Sequence, residues 1–178
     1  RALQVTVQQG QPPVRHPAIL GLTGDDLSDR DIVTADLESV NVASAGSLVD
    51  EDEDAGVGFE ALMRSSERSG LLASERLRMA NDPSSLIDEL GMDERRHVLA
   101  ARLTGEAGTA YPGRIGESGL SSGQVNAIVV ADTDLLSDNM WVQRQTFLGS
   151  AILNPFADNG ALAVNAVENL LGDADLIS

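Results

Sequence analysis

The apolar and polar positions divide the chain into many short elements rather than a few long ones. "ALQVTVQ" (residues 2–8) alternates apolar and polar side chains, the period of a half-buried strand. "QGQPPVRHP" (9–17) reads as a loop, because its three prolines remove backbone donors and fix φ. "AILGL" is a short apolar strand followed by the acidic turn "TGDDLSDRD", and "SVNVASAG" (39–46) is a further strand ending in small residues. "DEDEDAG" (50–56) is a block of like charge and predicts a solvated loop.

"GFEALMRSS" and "SGLLASERLRMA" read as two strands. In "NDPSSLIDELG", Asp82 can cap a short helix, Pro83 suits its first position and Gly91 ends it. "RRHVLAARLTG" predicts an interior strand, and "EAGTAYPGRIGESGLSSG" (106–123) a long surface loop. "QVNAIVVADTD" is the clearest strand, with a helix expected in "LLSDNMWVQRQTFLG" after it. "NPFADNGALAVNAVENLLG" contains a longer helix capped by Asp158 or Asn159 and ended by Gly172; Leu162, Val164, Val167, Leu170 and Leu171 form its apolar face. Runs such as "VLAA" and "AIVVA" do not alternate, which is the habit of strands buried on both faces of a parallel sheet. The early segments look like hairpins. The expectation is therefore an α/β domain with a mixed, partly parallel sheet spanning residues 1–178.

Composition narrows the chemistry. Twelve basic residues stand against 28 acidic ones, a net charge of −16, which opposes nucleic-acid binding and adsorption to an anionic leaflet. Every basic residue is arginine. The absence of lysine removes Schiff-base chemistry and a P-loop lysine. The absence of cysteine removes thiol catalysis and disulfides, and fits an exported bacterial domain. The chain opens on a strand pattern without Met and closes on "DADLIS", a strand pattern cut as it begins. It reads as an excised piece of a larger domain.

Asp132 and Asp134 follow a buried strand, as in phosphatases that use D-x-D to hold Mg²⁺ and a nucleophile. The Thr or Val that pattern needs two positions later is Leu136, and its lysine has no counterpart. The alternative role is a helix cap at the end of the strand. The two histidines, His16 and His97, lie in the proline-rich loop and at the start of an interior strand. A nucleophile would have to be serine, yet "GES", "RSSERSG" and "LSSG" are not a G-x-S-x-G elbow. "DLSDRD" and "DEDEDAG" lack EF-hand spacing. Arg76 and Arg78, of equal parity on a strand, would project together and contact an anion, a partner or the chain's own acids.

"VNVASAG", "MRSSERS", "ADTDLLSD" followed by "WVQ", and "FADNGALAVNAVENL" occur in an order that resembles the GldG-like family over roughly residues 37 to 178. These are auxiliary components of an uncharacterised ABC-type transport system associated with gliding motility. The resemblance implies a three-layer, Rossmann-like α/β sandwich related to the class I glutamine amidotransferase scaffold. It also implies no established catalytic centre and no cofactor. The expected role is a non-enzymatic binding or accessory domain on the periplasmic face of the inner membrane, tethered outside this segment. Its partners would be the permease and ATPase, with a saccharide or peptide as ligand. The alternatives are a metal-assisted phosphoester hydrolase at Asp132 and Asp134, and a pure assembly module.

Overall fold

A computed structural model of the chain describes residues 1–6, 12–51, 56–80, 82–112, 119–147 and 150–172. The strands β1 (Ala2–Val5), β2 (Val14–Thr23) and β3 (Ser39–Ala43) form one sheet in that order. A second sheet runs β4 (Val57–Arg64), β5 (Val98–Gly108), β6 (Ser122–Val130), and β7 (Val142–Phe147) pairs with β8 (Ser150–Pro155) as a hairpin. The helices are α1 (Ser74–Met79), α2 (Leu86–Glu89), α3 (Asp138–Trp141) and α4 (Asn159–Gly172).

Among the described residues every strand pair is antiparallel, so the expected Rossmann-like, three-layer sandwich with a partly parallel sheet is overturned. Parallel strands need a crossover long enough to cover a sheet face, usually a helix. The helix expected after β6 is only the four residues of α3; "VQRQTF" continues as strand β7. A short apolar run cannot distinguish burial by helices from burial by another sheet. Here Leu99 and Ala100 of β5 share one core with Leu62 and Met63 of β4, Leu22, Val40 and Val42 of β2 and β3, and Leu162 of α4.

The two larger sheets are also stitched through backbone. Leu27 bridges Met63, Leu48 bridges Val98, and the Gly46 N–H donates to the Ala131 carbonyl at 2.7 Å. In β4 the register shifts between Ala61 and Met63, a bulge that inserts Leu62.

Three local expectations change. The proposed strand at 69–80 contains helix α1, whose Glu, Arg, Leu and Met are good helix formers with no β-branched neighbour. The loop at 9–17 gives way to β2 from Val14, and Pro17 falls where the β1–β2 register jumps from His16 to Leu20, a position that tolerates a missing donor. The loop at 106–123 is shorter than expected, because Glu106 pairs with Gln124 and Gly108 with Ser122. Its residues 113–118, and residues 52–55 of the acidic block, lie outside the described residues.

Asp82 does cap as expected: its Oδ1 accepts from the Ser84 N–H at 2.9 Å, at the head of a 3-10 turn (Pro83–Ser85) that leads into α2. Helix α4 forms where expected, but its apolar face divides. Leu162 is buried, whereas Val164, Val167 and Leu171 are exposed. The side facing the core is made by Leu162 and Ala166, with Asn165 donating to the Val33 carbonyl at 3.2 Å.

Candidate functional site

Asp132 lies two residues beyond β6, and each of its carboxylate oxygens accepts a backbone N–H. Oδ1 accepts from the Asp134 N–H and Oδ2 from the Ala43 N–H, each at 2.7 Å. The side chain thus ties the end of β6 to the end of β3, and it does not cap α3, whose Ser137 cap has no side-chain bond. Burial pushes the Asp132 carboxyl above its ordinary value, against the pull of these N–H donors. Asp134 is exposed; its carbonyl accepts from the Ser137 N–H at 2.9 Å, closing the turn. Among the described residues no group of three or more His, Cys, Asp or Glu side chains is arranged to hold a metal ion.

The cap residues expected for α4 act elsewhere too. Asp158 Oδ2 accepts from the N–H groups of Glu38 and Ser39 at 2.8 and 2.9 Å. Asn159 is fully buried; its Oδ1 accepts from the Asn41 N–H at 3.0 Å and its Nδ2 donates to the carbonyls of Asn41 and Leu135, both at 2.7 Å. One side-chain amide thereby imitates a neighbouring strand for β3.

Arg76 and Arg78 sit on α1, where residues two apart point about 200° from each other, so they do not project together. Arg76 forms a forked pair with Glu89 of α2, and Arg78 reaches the Ser74 hydroxyl at 3.4 Å.

A polar cluster that the sequence did not reveal surrounds His97. Its Nδ1 lies 3.4 Å from Ser47 Oγ and its Nε2 2.9 Å from Asp93 Oδ2. The His97 N–H donates to Ser65 Oγ at 2.8 Å, and Ser65 and Ser69 share a hydroxyl bond of 2.8 Å. A Ser–His–Asp set is the constellation of acyl transfer, which also needs N–H donors for an oxyanion. The N–H groups of Gly46 and Leu48, on either side of Ser47, are already bonded to Ala131 and Val98. The cluster fastens the 93–97 segment to β4 and to the chain after β3. The i, i+4 spacing of Asp93 and His97 was the only local signal; Ser47 comes from 50 residues away.

A concavity of about 630 Å³ opens between the segment from Gly24 to Leu37 and strand β4. Its walls carry Arg30 and Arg64, the acids Asp25, Asp29 and Glu60, and the ring of Phe59. The wall segment is held from several sides. The Ser28 N–H donates to the Leu62 carbonyl at 2.9 Å, Thr34 Oγ1 to the Ser28 carbonyl at 2.7 Å, and the Val33 N–H to Asp31 Oδ1 at 2.9 Å. Arg102 of β5 grips Asp31 with two nitrogens, which holds that buried carboxyl below its ordinary value. Arg96 pairs with Asp26 at 3.0 Å and donates to the Asp25 and Ser65 carbonyls, joining the cleft to the His97 cluster.

Residues 1–166 match the model of a family described as an ABC-type uncharacterized transport system. The chain belongs to this ABC-transport auxiliary family. No curated protein and no solved structure matches it. The motifs that carried the resemblance are, in this auxiliary domain, the joints of the fold: "FADN" supplies Asp158 and Asn159, "ADTD" supplies Asp132, and "RSSERS" supplies Ser65 and Ser69. Among the described residues no helix is long and apolar enough to cross a membrane.

Proposed function

We propose that the chain is a non-catalytic accessory domain of an ABC-type transport system, of the GldG-like, gliding-associated kind, working on the periplasmic face of the inner membrane beside its permease and ATPase. The observation that carries this reading is the family match over residues 1–166. It is supported by the use of the most distinctive polar residues, Asp132, Asp158 and Asn159, as internal joints rather than as a reactive centre. The test is affinity purification of the tagged full-length protein from native membranes. Permease and ATPase should accompany it, and an epitope in the 109–112 segment should be open to protease from the periplasmic side. Recovery from the cytosol without either subunit would sink the proposal.

A pure assembly role is the second reading, favoured by the exposed apolar side chains Ile152, Leu153 and Phe156 on and beside β8. Residues 139–157 contain no acid in a chain that has 28. If that surface meets the permease, Ile152→Ser with Leu153→Ser abolishes co-purification and leaves the fold intact.

A further inference from the structure

The cleft between the Gly24–Leu37 segment and β4 has the size of a small-molecule site, which typically spans about 300–1,000 Å³. Its lining carries both signs of charge. Among the described residues the guanidinium groups of Arg30 and Arg64 make no ion pair or side-chain hydrogen bond, although Asp29 and Glu60 line the same cleft. Both arginines are exposed, so they reach a ligand without breaking an existing contact. Phe59, half-buried, offers an apolar surface beside them.

We propose that this cleft binds a zwitterion of the amino-acid or short-peptide class. Arg30 and Arg64 take the carboxylate, Asp25, Asp29 and Glu60 take the ammonium group, and the ligand's side chain lies against Phe59. Arginine is the side chain best shaped for a carboxylate, through two parallel charge-assisted bonds. A neutral saccharide would use the acids and the aromatic ring but give the two guanidinium groups no counter-charge. The wall is set before the ligand arrives, because Ser28, Asp31 and Thr34 are bonded within the segment and to β4 and β5. That lowers the ordering cost of binding. The assignment stands on the cleft and is independent of the transport role.

The test is a thermal-shift screen of the 178-residue protein against free amino acids, dipeptides and neutral disaccharides, followed by calorimetric titration of the best hit. The expected result is stabilisation by one or more zwitterions. Affinity should fall at least about tenfold when the hit's carboxylate is amidated, and equally in Arg30→Gln and in Arg64→Gln, which is a loss near 1.4 kcal/mol. Trp141 fluorescence and far-UV dichroism check that the variants keep the fold. The proposal is overturned if the amide binds as tightly as the acid, if only disaccharides stabilise the protein, or if no zwitterion binds at millimolar concentration. Because the amide comparison uses the unaltered protein, it decides the matter even if a variant fails to fold.

Discussion

Arg102 and Asp31 meet as a forked ion pair across 71 residues of chain, with both side chains largely removed from water. The pair fixes the segment that carries Arg30 to the middle strand of the second sheet. Truncating Arg102 to Ala leaves a buried carboxylate without its counter-charge, and the expected cost is about 3–5 kcal/mol by urea unfolding. Arg95→Ala, which removes the exposed contact to Asp93, should cost about 0–1 kcal/mol. Equal effects from the two substitutions would mean that Arg102 is not anchoring the segment.

Asp31 and Asp132 should respond to acid with opposite signs. The Arg102 hydrogen bonds hold Asp31 below its ordinary value. Its contribution to stability is therefore complete above the unfolded value of about 3.9 and is lost as pH falls through the lower folded value. Burial raises Asp132, so its charged form costs stability at neutral pH, and that cost fades as pH falls through its raised folded value. Relative to the unaltered chain, Asp31→Asn should gain stability on acidification and Asp132→Asn should lose it. Urea unfolding across the acid range reads both trends.

Asp132→Ala removes the acceptor for two backbone donors, at Ala43 and Asp134. The expected loss is about 2 kcal/mol. It should come with faster hydrogen exchange at the Ala43 amide. An unchanged Ala43 amide would show that the carboxylate does not join β6 to β3.

Gly160 opens the second residue of α4 against the indole of Trp141, where an added Cβ would lie 2.7 Å from the ring. Gly160→Ala should therefore displace the only tryptophan and cost about 1–3 kcal/mol through overpacking. Tryptophan emission shows the displacement directly. A spectrum identical to that of the unaltered protein would mean that the ring has room the geometry does not give it.

The local elements were largely legible and their assembly was not. Strands were expected where β3 and β4 lie, and Asp82 with Pro83 announced a helix start that the Ser84 N–H confirms. Residues 135–149 misled, because a helix was expected there while only Asp138–Trp141 is helical and "VQRQTF" pairs with β8 as a strand. The direction of strand pairing depends on what connects the strands. That connection turned on a helix only four residues long. The roles of Asp132, Asp158 and Asn159 were hidden for a different reason. A carboxylate or amide next to a helix start looks like a cap, and nothing local says that its partner lies on β3. Ser47, Asp93 and His97 were likewise brought together by the bridge between Leu48 and Val98 rather than by any motif.

The imitation of a strand by Asn159 also sets an order of events in time. The backbone of Asn41 waits for an amide 118 residues further on. At synthesis rates of about 5–20 residues per second, the two leave the ribosome roughly 6–24 s apart. During that interval the edge of β3 has hydrogen-bonding groups turned outward and no helix to close them. The nascent chain is thus most open to wrong pairing in the β1–β2–β3 sheet until α4 emerges, and a chain stopped before Asn159 would leave that edge open permanently.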